Sequence, residues 1–237
     1  MLDEIVPPQV VAVEAFDDPA DVELYPEEQA VLQKAVASRR IEFGTARWCA
    51  RQALAKLGLP PAPILPGLRG APGWPAGVAG SMTHCAGYRA AALAHSREVA
   101  TIGIDAEPHT PLPDGVGEVI ASDAERRALA DLAEAAPEVS WDKLLFSAKE
   151  ATYKAWFPLT QRWLGFNDAV IRINAADGTF TARLLVPGPV LGGRQLTEFS
   201  GRWLARDGLV ITSIAVPAGP AWTTGAIRTT APGRPAL

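Results

Sequence analysis

Apolar residues recur at the three- and four-residue spacing of a helix in four stretches of the chain. The predicted helices span about 21–38, 41–57, 122–135 and 139–157. The second is expected to end before Gly58, because glycine is the usual residue just past a helix end. The third begins with Ser122 and Glu125 in the positions of a capping box. Pro158 is expected to end the fourth, since proline lacks the backbone N–H that continues a helix.

Short apolar and alternating stretches between the helices predict strands. One strand is expected within residues 5–16, and the proline- and glycine-rich stretch from 60 to 80 is expected to be a loop. Apolar runs at 88–94 and 99–105 predict two strands that turn back on each other as an antiparallel pair. Four more strands are predicted at 169–173, 180–186, 201–206 and 209–216, with hairpin turns at Asp177-Gly178 and Asp207-Gly208.

The order of these elements is helices then hairpin, followed by helices then hairpins. This order predicts an α+β fold with two similar α/β halves related by pseudo-twofold symmetry, each a small antiparallel sheet with helices. We expect an N-terminal half over 1–107 and a C-terminal half over 108–216, with a functional site at their junction. Residues 217–237 are rich in glycine, proline, threonine and alanine, and we expect a poorly ordered tail there.

The fourth predicted helix carries charged residues beside its small, apolar stripe. Glu150 and Lys154 lie four residues apart and therefore on one face, with Lys149 nearby. Taken alone, such charges are most often a solvated helix face. Asp105 and Glu107 change this interpretation. They lie at the end of a predicted apolar strand, and because they are two residues apart, their side chains point to the same face of it.

Carboxylates gathered on one face are the ligands that a hard divalent cation prefers. Asp105 and Glu107 would supply two of them, and Glu150 a third from the helix. The nearby lysines suit phosphate groups held by such a cation. The pattern therefore predicts a magnesium–phosphate site at the centre of the protein.

Composition and net charge limit the class of protein and its partners. The 237 residues are 48% hydrophobic and 20% charged, which is ordinary for a soluble globular protein. A net charge of −4 does not favour a general nucleic-acid binder. No secretion signal or bilayer-length apolar run is visible, and both cysteines are expected to be reduced. We therefore expect a cytoplasmic protein without nucleic-acid or membrane partners.

Two motifs resemble those that define the 4′-phosphopantetheinyl transferases. They are Gly-Ile-Asp-Ala-Glu at 103–107 and, about forty residues later, Phe-Ser-Ala-Lys-Glu-Ala-Thr-Tyr-Lys-Ala at 146–155. The segments 39–50 and 74–88 resemble the actinobacterial branch of the longer, single-chain type. Together the four motifs cover roughly residues 39–157 in the order of the family.

The resemblance implies an activity and its partners. Such an enzyme would move the phosphopantetheine arm of coenzyme A onto a serine of an apo acyl- or peptidyl-carrier protein and release adenosine 3′,5′-bisphosphate. The carriers would belong to siderophore, polyketide or nonribosomal peptide synthases. Mg²⁺ would be the metal, with Mn²⁺ as a substitute, and the enzyme is expected to be a monomer.

The resemblance also implies roles for individual residues. Asp105 and Glu107 would bind the metal, and Glu150 would be a third ligand, the general base for the serine, or both. The remaining candidates are cations and polar groups for coenzyme A: Lys149 and Lys154 for the diphosphate, Arg39 and Arg47 for the 3′-phosphate and adenine end, and Thr83 and His84 for a phosphate.

The chain departs from the family pattern in two places. Ala106 stands where some relatives carry a polar side chain that joins the metal, so water would have to complete the coordination. Pro66 stands where relatives often have a lysine, and Arg69 is the nearest cation.

Two other functions are compatible with the same residues. One is a non-catalytic relative that binds coenzyme A or a carrier protein. The other is a magnesium-dependent pyrophosphate hydrolase, in which water replaces the serine. The apolar residues of 111–120 are a candidate carrier surface, although they could equally belong to the core.

Overall fold

The structure is a computed structural model that describes residues 1–219. The predicted tail therefore lies almost wholly outside the described residues. Within residues 1–219, no helix combines the length and the apolar character needed to cross a bilayer.

The first part of the chain builds a three-stranded antiparallel sheet covered by a long helix. Its elements are β1 (Val11–Ala15), α1 (Pro26–Val31), α2 (Ala37–Lys56), β2 (Val78–Cys85) and β3 (Tyr88–His95). The strand order is β1-β3-β2, so the last strand of the three lies in the middle. Helix α2 packs against β1 and β3 through Ala50, Ala53 and Leu54, which are fully buried.

The second part builds a five-stranded antiparallel sheet. Its elements are β4 (Val99–Pro108), α3 (Val116–Ile120), α4 (Asp123–Ala135), α5 (Trp141–Thr160), β5 (Ala169–Asn174), β6 (Thr179–Leu184), β9 (Glu198–Arg206) and β10 (Leu209–Pro217). The strand order is β4-β10-β9-β6-β5. A two-stranded ribbon of β7 (Val190–Leu191) and β8 (Arg194–Gln195) precedes β9. The predicted capping box forms, because Ser122 and Glu125 bond each other's backbone N–H at the start of α4.

The two parts share one connectivity, which confirms the α+β fold with two similar halves. In the first, the order β1–α2–β2–β3 places β3 between β1 and β2. In the second, β4–α5–β9–β10 places β10 between β4 and β9, and the β5–β6 hairpin extends the sheet. By its hydrogen bonds β4 belongs to the second half. We therefore propose that the halves divide in the turn between β3 and β4 rather than after residue 107.

This pairing corrects one prediction about the strands. We expected 88–94 and 99–105 to pair with each other, but β3 pairs with β1 and β2, whereas β4 pairs with β10. The turn between β3 and β4 carries the chain from one sheet into the other. The partner of β4 comes from the end of the described chain, which a local pattern cannot reveal.

Three helix predictions were also wrong in extent. The stretch 21–38 holds the six-residue α1 and the first two residues of α2, which begins at Ala37, earlier than expected. Helix α5 runs through Pro158 to Thr160. A proline in the last turn removes only one N–H donor, and Gln161 then ends the helix in the left-handed conformation.

Candidate active site

Strand β4 lies directly beneath helix α5, and a glycine makes this close approach possible. A Cβ atom added at Gly103 would lie 2.0 Å from the carbonyl oxygen of Ala151 and 2.7 Å from the amide nitrogen of Ala155. Because side chains alternate along a strand, Asp105 and Glu107 share this face with Gly103. The helix is thus placed to set its own charged residues against these two carboxylates.

Asp105 and Lys154 meet in this interface. Lys154 Nζ donates to Asp105 Oδ1 at 2.7 Å and to the carbonyl oxygen of Ile104 at 3.1 Å. Asp105 is only 4% exposed, and its Oδ2 is buried without a hydrogen-bond partner among the described residues. A buried carboxylate oxygen without a donor is costly unless a ligand satisfies it.

Two hydroxyl groups of β2 hold β4 in place. The N–H of Ile104 donates to Ser81 Oγ, and the N–H of Ala106 donates to Thr83 Oγ1, both at 3.1 Å. Thr83 also contacts Asp105 Oδ1 at 3.4 Å. No backbone ladder joins β2 to β4 in the described part of the chain, so these side chains connect the two sheets at the site. Thr83 therefore lies against Asp105, and its predicted contact with a phosphate stays a prediction.

Glu107 has a lysine partner that sequence reasoning missed. Lys143 Nζ lies 3.5 Å from Glu107 Oε2. Burial raises the pKa of Glu107, and the neighbouring Asp105 raises it further, while Lys143 opposes both effects. Lys143 precedes Glu150 by seven residues, which is two helical turns, so the spacing would have placed it on the same face.

Glu150 belongs electrostatically to the same cluster. Burial raises its pKa, Asp105 and Glu107 add to the increase, and Lys154 counters it. The three predicted carboxylates are therefore close enough to repel one another, a repulsion that a cation would relieve. Within residues 1–219, however, no group of three or more acidic, histidine or cysteine side chains is already arranged to hold a metal.

Arg39, Glu42 and His84 form a second polar cluster, at the surface of the first half. Arg39 Nη1 donates to His84 Nε2 at 2.8 Å, and Glu42 Oε2 lies 3.6 Å from both Arg39 Nη1 and His84 Nδ1. Burial lowers the pKa of His84, and the charges of Arg39 and Lys154 lower it further. Since His84 experiences the charge of Lys154, this cluster borders the acidic one.

Arg47 is not in an exposed phosphate-binding position. The residue is 6% exposed, its Nε donates to the carbonyl oxygen of Ile64 at 2.8 Å, and its guanidinium lies over the Phe43 ring. The fully buried Glu28 carboxylate is 3.7 Å away. Burial lowers the pKa of Arg47 to about 10. Protein groups thus already engage the guanidinium, which holds the 60–66 loop against α2, and contact with coenzyme A stays a prediction.

Lys149 lies apart from the acidic cluster, and its predicted contact with the diphosphate stays a prediction. Its ammonium contacts Glu125 Oε1 at 3.0 Å and donates to the carbonyl oxygens of Phe166 and Ala169. The residue is 5% exposed. Burial lowers its pKa, and Glu125 opposes that effect. One position along a helix turns a side chain by about 100°, so Lys149 contacts Glu125, whereas Glu150 experiences the charges of Asp105 and Glu107.

We expect Lys149→Met to destabilise the fold, whatever its effect on the binding of coenzyme A. The substitution leaves Glu125 buried without its counter-charge, which typically costs about 3–5 kcal/mol. Urea unfolding followed by circular dichroism measures the loss, with Lys34→Met as the control because Lys34 is exposed. Unchanged stability combined with weakened coenzyme A binding would restore the phosphate role.

A small pocket of about 100 Å³ opens beside Glu150. It is lined by residues of α5 and of the segment that follows it: Lys149, Glu150, Thr152, Tyr153, Trp163, Leu164, Gly165, Phe166 and Ala169. The Tyr153 hydroxyl is buried without a partner among the described residues. Arg69, the loop cation noted in the sequence, lies over the Trp163 ring at 5.2 Å. The lining is thus largely apolar, with a few polar groups at one end.

Comparison with known proteins agrees with the repeated architecture. A family model described as the 4′-phosphopantetheinyl transferase N-terminal domain matches residues 27–94. A second, described as the 4′-phosphopantetheinyl transferase superfamily, matches residues 101–209. The boundary between the two matches falls between β3 and β4, as the sheet pairing does.

Three actinobacterial proteins resemble the chain over most of its length. It is 55% identical to 4′-phosphopantetheinyl transferase Svp of Streptomyces mobaraensis, over 93% of this chain and 92% of that protein. It is 49% identical to 4′-phosphopantetheinyl transferase Npt of Nocardia iowensis, over 91% of this chain and 99% of that protein. It is 50% identical to 4′-phosphopantetheinyl transferase PptT of Mycobacterium tuberculosis, over 86% of this chain and 90% of that protein. The chain therefore belongs to the 4′-phosphopantetheinyl transferase family.

Proposed function

We propose that this transferase moves the 4′-phosphopantetheine arm of coenzyme A onto a carrier-protein serine at the cluster of Asp105, Glu107, Glu150 and Lys154. The observation that carries the assignment is the meeting of Asp105 with Lys154 beneath α5, where one buried carboxylate oxygen has no donor among residues 1–219. The cluster offers oxygen ligands for a cation and an ammonium for a phosphate in one place. Transfer of a phosphoryl-linked group requires both.

The donor set suits Mg²⁺, with Mn²⁺ as a substitute. Asp105 and Glu107 would be ligands from the strand, and Glu150 would approach from the helix. Ala106 belongs to the apolar cluster on the opposite face of β4, so its side chain cannot contribute and water would complete the shell. A bound cation would supply neutralisation of charge on the diphosphate.

The protein side chains have distinct tasks in the transfer. The serine oxygen bonds to the β-phosphorus, the bond from that phosphorus to the bridging oxygen breaks, and adenosine 3′,5′-bisphosphate leaves. Glu150, whose pKa burial raises, is suited to accept the serine proton. Lys154 is placed to stabilise negative charge on the diphosphate, since its ammonium already lies at Asp105.

The two ends of coenzyme A would occupy the surfaces on either side of the acidic cluster. Arg39 and His84 carry the exposed donors that suit its phosphates, and they border Lys154. The largely apolar pocket beside Glu150 suits the pantetheine arm, because both Glu150 and the aromatic Trp163 line it. The reacting phosphorus would then lie between these two regions.

The carrier proteins of siderophore, polyketide or peptide synthases are the proposed partners, met by a monomeric enzyme in the cytoplasm. Part of the candidate surface at 111–120 is available to them, because Val119 of α3 is 67% exposed. Ile120 is buried, and Leu112 and Val116 pack against the core. The surface is therefore narrower than the apolar pattern alone suggested.

Intact-mass spectrometry of an apo carrier incubated with the protein, Mg²⁺ and coenzyme A tests the reaction directly. We expect the carrier to gain the mass of one phosphopantetheine arm, and a chelator such as EDTA to stop the gain. Release of adenosine 3′,5′-bisphosphate without a carrier would identify a hydrolase instead. Binding of coenzyme A with no mass gain across a panel of apo carriers would identify a non-catalytic relative.

A further inference from the structure

We infer that Lys143 is a positioning residue that keeps the acidic cluster weak for a cation until the diphosphate arrives. The inference rests on the proposed metal site and adds a role for a residue outside the recognised motifs. Lys143 is 9% exposed, which is unusual for a lysine, and its ammonium is directed to Glu107 at 3.5 Å.

The spacing along α5 places Lys143 on the same stripe as the reacting groups. Glu150 follows it by seven residues and Lys154 by eleven, which are two and three helical turns. Lys154 pairs with Asp105 at one end of the stripe, and Lys143 pairs with Glu107 at the other. Helix α5 therefore brings one ammonium to each of the two strand carboxylates.

These two ion pairs reduce the net negative charge that attracts a cation to the cluster. Three carboxylates and two ammonium groups leave the cluster with a small negative charge, so a dication is attracted weakly and is repelled at short range by each lysine. The diphosphate of coenzyme A brings further negative charge and can accept from the lysines. Metal and coenzyme A should then strengthen each other's binding, as linkage requires.

Mn²⁺ alone is a direct probe of this role, because its binding can be followed by electron paramagnetic resonance without turnover. We expect Lys143→Met, which removes the charge but keeps an unbranched side chain only one atom shorter, to bind Mn²⁺ at least about tenfold more tightly than the wild type. Lys143→Arg keeps the charge and should stay within about threefold of the wild type. Coenzyme A should tighten Mn²⁺ binding less in Lys143→Met than in the wild type.

The outcomes separate this inference from the proposed function. The Mn²⁺ that binds at the proposed site is the part of the binding that Asp105→Asn abolishes. If the wild type shows no such binding, with or without coenzyme A, the proposed metal site is wrong and this inference fails with it. If the wild type binds Mn²⁺ there but Lys143→Met binds it equally or more weakly, only the role of Lys143 is overturned. Lys143→Gln provides the same comparison should the methionine variant fail to fold. A purely structural lysine would not yield tighter metal binding when removed.

Discussion

Asp105→Asn is expected to lower the rate of arm transfer by at least about 10²- to 10³-fold at saturating coenzyme A and Mg²⁺. The amide keeps the shape of the carboxylate but removes its charge and replaces one oxygen ligand by an NH₂ group. The Lys154 ammonium, which donates to Asp105 Oδ1 at 2.7 Å in the wild type, would then have a neutral partner. The cluster thus loses a ligand for the cation and the counter-charge that holds the phosphate-binding lysine. Initial rates of carrier mass gain measure the effect.

Asp131→Asn is the matched control, because the Asp131 side chain is exposed on α4. It should transfer the arm at the wild-type rate. Circular dichroism should show that Asp105→Asn is folded, so that the lost rate reflects chemistry. Transfer by Asp105→Asn within a few-fold of the wild type would contradict the assignment of the site, whatever the family resemblance.

Gly103→Ala is expected to destabilise the protein by about 1–3 kcal/mol or more, although it adds only a methyl group. The new Cβ would meet backbone atoms of α5, at 2.0 Å from the Ala151 oxygen, and backbone cannot move aside as a flexible side chain can. The helix must shift away from β4. That shift would also separate Glu150 and Lys154 from Asp105, so transfer should slow even though no reacting group is changed. Urea unfolding and transfer rates measure the two effects.

Gly117→Ala is the control for this substitution. A Cβ added at Gly117 meets nothing within 4 Å, and the residue lies in helix α3, where alanine is favoured over glycine. It should leave stability unchanged or increase it slightly. Equal stability of the two variants would show that α5 does not depend on close contact at Gly103.

The acidic cluster could be predicted from the sequence because its residues follow the regular spacing of side chains along a strand and along a helix. Asp105 and Glu107 follow the two-residue period of β4, and Glu150 and Lys154 follow the turn of α5. Lys143 obeys the same helical period, but it lies outside the family motif and was overlooked. Lys149 adjoins Glu150 in sequence, but a helix turns neighbouring side chains apart, and Lys149 contacts Glu125 instead.

Other features depended on contacts between distant segments. The burial of Lys149 follows from Glu125 on another helix, and that of Arg47 follows from Glu28 and the loop around Ile64. A positive residue in a helical pattern carries no sign of a buried acid elsewhere. The pairing of β4 with β10 is of the same kind, since it joins residues about a hundred positions apart.

The hydroxyl contacts of Ser81 and Thr83 have a mechanical consequence. At the site these two side-chain hydrogen bonds join β2 to β4, whereas paired strands elsewhere in the fold are joined by a row of backbone hydrogen bonds. Arg39 and His84 stand on one side of this seam and Asp105 on the other. A coenzyme A molecule that touches both sides would add contacts between the two sheets, and these contacts would be lost when it dissociates.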